Sequence, residues 1–194
     1  MANEKILTGV KNIHITPWTA SDTGLDLTSG HGLDLDNVIA DTVTITQDDP
    51  ETNSIDCETR DEPIIEATTL GKYTFTMDSA DINFDILEKA LGFTKVGNDI
   101  AAAPSSYVKK YVMLEVSMQG AKFVVPRAQL SSKIDASSLK TNVAKGTISG
   151  TAYTAKVTAG SNAAVETPFF VAGSAWGAAA SAGAHKFKVE KITA

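Results

Sequence analysis

Asp22-Thr23-Gly24 is the triplet in this chain that matches a catalytic signature, that of an aspartic protease. The chemistry requires two carboxylates sharing one proton, with the aspartate placed after a buried apolar strand. The preceding "WTAS" is not such a strand, and a plain Asx or glycine turn explains the triplet. "GHGLDLD", at 30–36, shares residues with a calcium-binding nonapeptide repeat. Asp36, however, stands where the repeat needs an apolar side chain, and stacked copies are missing. His14, His31 and His185 are scattered, with no pair at the spacing that holds zinc. Cys57 is the single cysteine, so there is no internal disulfide and no multi-cysteine metal site. No glycine-rich phosphate loop leads into a helix. Lys109, Lys110, Lys122 and Arg127 form a basic group without the interleaved aromatics of a nucleic-acid module. The reading is of a protein that is not an enzyme and uses no cofactor or metal.

The most distinctive chemistry is charge. "DDPETNSIDCETRDEPI", at 48–64, carries Asp48, Asp49, Glu51, Asp56, Glu58, Asp61 and Glu62 against one base, Arg60. Residues 1–100 hold 19 acidic and 6 basic residues, a net of -13; residues 101–194 hold 4 and 11, a net of +7, which together give the chain's -6. Such polarity bears on association and says little about fold. Either the halves neutralise each other within one subunit, or an acidic face meets a basic face on another copy. Lys109, Lys110, Lys122, Lys186 and Lys188 are the candidate basic counter-surface.

The elements that must carry these charges are mostly strands. The chain of 194 residues is 43% apolar and 21% charged, enough for a core in one domain. No run approaches the roughly 18 apolar residues of a membrane span, so no membrane anchor is expected. The N-terminus has no basic region leading into an apolar stretch, so no secretory signal is read. Residues 1–38 read as a turn-rich arm containing the short alternating piece "KNIHIT", closed by Pro17. "DTVTITQ" alternates Val43 and Ile45 with threonines, and a long strand follows the acidic loop over 64–77. There Tyr73, Phe75 and Met77 share a face and Gly71 marks a bulge. One helix, about 80–91, has the apolar stripe Ile82, Ile86, Leu87, Ala90 and Leu91, with Gly92 as its stop. Residues 107–125 read as a hairpin turning at Gln119-Gly120, and Pro126 as an edge or an exit. A glycine-weakened strand at 145–157, an Ala/Gly-rich excursion at 172–184 and a terminal strand in "HKFKVEKI" complete the chain. The expected fold is mainly β: about eight strands in a β-sandwich or partly closed barrel, with one flanking helix and extended loops.

The order of these elements, and above all "DEPIIEATTLGKYTFTMDSADINFDILEKALG", resembles the major tail tube protein of long-tailed bacteriophages. The likeness covers residues 40–130. It implies a structural subunit of the virion tail, assembled in the cytoplasm of a bacterial host. Six copies would form a ring, and rings would stack into a tube that meets other tail proteins and passes genomic DNA without binding it specifically. The same fold serves type VI secretion and related contractile injection tubes, which is the alternative within this resemblance. A β-sandwich adhesin or pilin subunit is a further alternative. The resemblance implies two roles for the acidic loop. It either reaches a basic surface on the adjacent ring or lines the lumen and repels DNA.

Overall fold

The computed structural model describes residues 9–18, 24–26, 32–57, 60–80, 84–97, 100–106, 109–135, 145–159, 162–173 and 187–192. Sixteen strands and one helix lie among them. Eight strands form the main antiparallel sheet: β1 (Val10–Pro17), β3 (Leu33–Leu35), β4 (Thr44–Gln47), β7 (Tyr73–Ser79), β10 (Tyr111–Met118), β11 (Ala121–Asp135), β12 (Lys145–Ala152) and β15 (Phe170–Gly173). Their order is β3-β1-β10-β11-β12-β7-β4, and β15 pairs with β11. A second sheet has the order β14-β13-β16-β2, from Val165–Thr167, Ala155–Ala159, Phe187–Lys191 and Gly24–Asp26. Two hairpins stand apart: β5 (Glu51–Cys57) with β6 (Arg60–Thr69), and β8 (Thr94–Val96) with β9 (Ile100–Ala102). Among the described residues no sheet closes on itself, so the architecture is a sandwich with a helix and not a barrel.

Both faces of the main sheet are covered around its centre. On one face Ile13, Ile15, Phe75, Met77, Val112, Leu114, Val116, Val125, Leu130 and Ile148 pack with Ile86 and Ala90 of helix α1 (Phe84–Leu91). On the other, Met113 and Val124 meet Ala155 and Val189 of the second sheet, with Trp18 against the cluster. Strand β10 therefore buries five successive residues, Val112 to Val116, as a strand between two layers must. The helix stripe is as expected at Ile86 and Leu87, which are buried, and at Leu91, which is half-buried; Ile82 lies outside the described residues. Lys110 Nζ donates to the Glu88 carbonyl at 2.5 Å and Phe93 N–H to that of Leu87 at 2.9 Å, so carbonyls at the helix end are satisfied. Gly92 sits at φ 79°, the left-handed stop that glycine supplies.

The structure corrects several expectations. Val10–Pro17 and Leu33–Leu35 are strands of the main sheet, the first of them in its interior, rather than parts of an arm. The strand expected over 64–77 breaks at 70–72, because β6 belongs to a separate hairpin. Gly71 makes no bulge there; a Cβ at this position would lie 1.6 Å from the Asp48 carbonyl oxygen, where the chain leaves and re-enters the sheet side by side. Pro126 is neither edge nor exit but mid-strand and buried. It falls where β11 passes from pairing with β15 to pairing with β12, opposite a bulge in β10, so no ladder bond needs its missing N–H. The single strand expected at 145–157 is two, β12 and β13, one in each sheet. Of the Ala/Gly-rich excursion, Ala172 and Gly173 end β15, and 174–184 lie outside the described residues.

Candidate functional site

The acidic segment is a β-hairpin, where a loop was expected. Glu51 pairs with Thr69, Asn53 with Ala67 and Ile55 with Ile65, and a bulge precedes the pairing of Cys57 with Arg60. Aspartate and glutamate are poor strand formers, which is why their density reads as loop in sequence. The ladder forms because threonine, isoleucine and serine hold the intervening positions; Thr52 and Thr68 also join their hydroxyls across it at 3.2 Å. At about 3.3 Å per residue, the ten residues of β6 extend roughly 30 Å.

Neither strand pairs with another sheet among the described residues. Glu51 to Ile55 and Glu66 to Leu70 are all exposed, so both faces of the root half meet solvent. Ile55 is 58% and Leu70 77% exposed, values that a hairpin lying on the body would not show. The root is tied to the sheet by the Asp48 N–H, which donates to the Lys72 carbonyl at 2.9 Å, and by the close approach at Gly71. Asp48, Asp49 and Glu51 are exposed carboxylates at this root. Asp56 lies on β5 and Arg60, Asp61 and Glu62 on β6 toward the tip; Glu58 is outside the described residues.

The candidate basic residues do not gather into one surface. Lys110 binds the helix carboxyl end. Lys122 lies 3.5 Å from the buried Glu115, and Lys188 pairs with Glu190, holding that carboxyl below its usual range by a hydrogen bond. Lys109 is exposed, and Lys186 lies outside the described residues. Of the five ion pairs between described residues, only Lys145–Asp78, at 2.9 Å, joins the acidic half of the chain to the basic half. The charge polarity is thus not consumed within the described part of the subunit.

Two further features carry charge or polarity. Asp34 on β3 accepts from His14 at 2.8 Å and from Asn12 at 2.9 Å; these hydrogen bonds, the histidine's first, hold its carboxyl below the ordinary range. Beyond the second sheet, the main sheet exposes an uncharged hydroxyl surface built from Thr74 and Thr76 of β7, Ser149 and Thr151 of β12, and Gln129 and Ser131 of β11. At its rim stands Arg127, which sequence reasoning had only as one of four basic residues. Its partners, Tyr111 and Tyr153, are 42 residues apart in the chain and meet only because β10, β11 and β12 are neighbours. Among the described residues no group of three or more His, Cys, Asp or Glu stands together as a metal site, and no helix is long and apolar enough to cross a membrane. No protein-family model matches this chain, and a comparison with curated proteins found no match.

Proposed function

We propose that this chain is a structural, self-assembling subunit of a bacteriophage tail tube. Six copies close a ring, rings stack head to tail, and DNA passes through the lumen. The protein works by assembly in the host cytoplasm and resides in the virion tail, without catalysis. One observation carries the reading: the β5–β6 hairpin extends roughly 30 Å, pairs only with itself and exposes both faces of its root. A lone two-stranded hairpin is marginally stable in water, so a surface outside the subunit must complete it. The element order that resembles tail tube proteins supports the same conclusion. A head-to-tail contact is heterologous, with two different surfaces that must match, and opposite charge sets their register. The acidic hairpin and the net positive second half supply that difference within one chain.

Negative-stain microscopy of the concentrated protein tests the reading directly. Rings of sixfold symmetry, or tubes, are expected, and a uniform monomer at every concentration refutes it. Light scattering against sodium chloride adds the electrostatic arm. Exposed charges are screened beyond about 8 Å at physiological ionic strength, so stacking of the wild type weakens as chloride rises. Reversing Asp61 and Glu62 to lysine together blocks stacking and leaves the subunit folded. Equal assembly of both proteins at every salt level removes charge from the mechanism.

A further inference from the structure

Arg127 is only 9% exposed, and it makes neither a hydrogen bond nor an ion pair with any described residue. Its guanidinium lies 4.1 Å from the centroid of the Tyr111 ring and 5.7 Å from that of Tyr153. The two rings meet edge to face, 89° apart, and form a corner around it. Ring faces attract and orient a guanidinium, but they leave its in-plane N–H donors without acceptors. Nε is sealed from solvent without a partner, while the terminal nitrogens are neither sealed nor bonded. A guanidinium cannot shed its charge, and burying one unpaired is costly. The site has the form of a pre-oriented cation waiting for a bidentate anion.

The position of Arg127 identifies the anion. Thr74 is paired with Thr151, and Thr151 with Gln129, so this row of the main sheet runs from β7 across β12 to β11. The hairpin leaves the sheet one residue before Thr74, and Arg127 lies two residues before Gln129. Hairpin root and Arg127 are therefore level, separated by two strand spacings, roughly 10 Å. Copies in a ring are related by rotation about the tube axis and keep the same height. With the hairpin directed along that axis, groups level with each other can meet within a ring, whereas the tip reaches the next one. The approach to Arg127 crosses uncharged Gln129, Ser131, Ser149 and Thr151, which neither repel nor compete for a carboxylate. Asp48, Asp49 and Glu51 are exposed at the root and make no ion pair with a described residue.

We propose that Arg127, held in the corner of Tyr111 and Tyr153, is the within-ring receptor for a carboxylate at the hairpin root of the neighbouring copy. This rests on the ring assembly proposed above. Two experiments test it. Arg127→Met removes the charge and keeps the stem; it is expected to leave the unfolding midpoint unchanged or raised, because no internal partner is lost, and to raise the concentration needed for rings at least tenfold. Rings at the wild-type concentration overturn the proposal while leaving the tube reading intact; a wild type that never forms rings overturns both. The second experiment keeps Arg127 and does not depend on how that variant folds. Asp49→Cys and Tyr153→Cys, both in a Cys57→Ser background, are expected to give disulfide-linked oligomers on mild oxidation of the assembled protein. Monomer alone on a non-reducing gel overturns the contact. Fluorescence anisotropy with a labelled DNA duplex covers the other anion: binding that Arg127→Met abolishes, with no cross-link, assigns the corner to phosphate and overturns the proposal.

Discussion

Excising residues 49–70 and joining Asp48 to Gly71 through an Asn-Gly turn tests what the hairpin contributes to the subunit and to assembly separately. The Asp48 N–H and the Lys72 carbonyl are already 2.9 Å apart, so the two ends present the geometry of a tight antiparallel turn. The excised residues form no ladder with the rest of the sheet, and those with described side chains are exposed. The cut therefore removes no core burial. Replacing a connection of about 22 residues with two lowers the closure cost by (3/2)RT ln(22/2), about 2 kcal/mol. That is an upper bound, because the hairpin's own ladder already restricts the longer chain. The truncated subunit should be as stable as the parent or more stable, by up to about 2 kcal/mol, in urea denaturation of monomer. In negative stain it should form no tubes. A loss of more than about 1 kcal/mol would show that the hairpin packs on the body. Tubes from the truncated protein would show that it is not the contact between rings.

The Leu87→Ala substitution removes a buried side chain from the helix and should cost roughly 2–5 kcal/mol in the same denaturation assay. An unchanged midpoint would place that side of the helix in solvent. Gly150→Ala would bring a Cβ to 2.2 Å from Phe75 Cζ and 2.8 Å from the backbone oxygen of Gln129. Because backbone cannot yield as a side chain does, a loss of about 1–3 kcal/mol is expected, and Phe75→Leu should relieve part of it. Asp34 has a lowered pKa in the folded protein, so its contribution is complete above about pH 4, the unfolded value, and is lost as pH falls through the lower folded value. Asp34→Asn should therefore reduce stability at pH 6 and make little difference near pH 2; an equal loss at both would show that the carboxylate charge is irrelevant.

Much of the sandwich was legible because its core strands obey simple alternation. Phe75 and Met77 are buried against Thr74 and Thr76 on the other face, and Val112, Leu114 and Val116 share one face of β10. Met113 is buried as well, behind that same face, and its layer was not legible. The second sheet is built from strands of three to five residues that lie far apart in sequence, so none carries enough period to announce a layer. The hairpin was missed for the opposite reason. Its residues are plainly acidic, and composition outweighed the threonine and isoleucine positions that pair Thr52 with Thr68 and Ile55 with Ile65. Arg127 was visible as a base. Its isolation was not, since it depends on Tyr111 and Tyr153 standing beside it where acceptors might have stood.

The acidity of the hairpin has a physical use that its exposure makes clear. A free two-stranded ribbon presents two open edges, and open edges invite pairing with identical strands. Here that pairing would set Asp56, Asp61 and Glu62 of one copy near the same residues of another, a like-charge contact that opposes association. The hairpin is thereby guarded against joining hairpins, the isologous route, while it remains attracted to any surface of opposite sign. A contact that excludes its own kind and accepts a different face is heterologous, and a heterologous contact can propagate. The seven carboxylates from Asp48 to Glu62 thus act on the choice of contact more than on its strength, since each exposed ion pair contributes only about 0–1 kcal/mol. Affinity then has to come from the number of copies that engage together. Six weak contacts in one ring act as a unit, which makes a lone subunit soluble in the company of its own kind and a completed ring a template for the next.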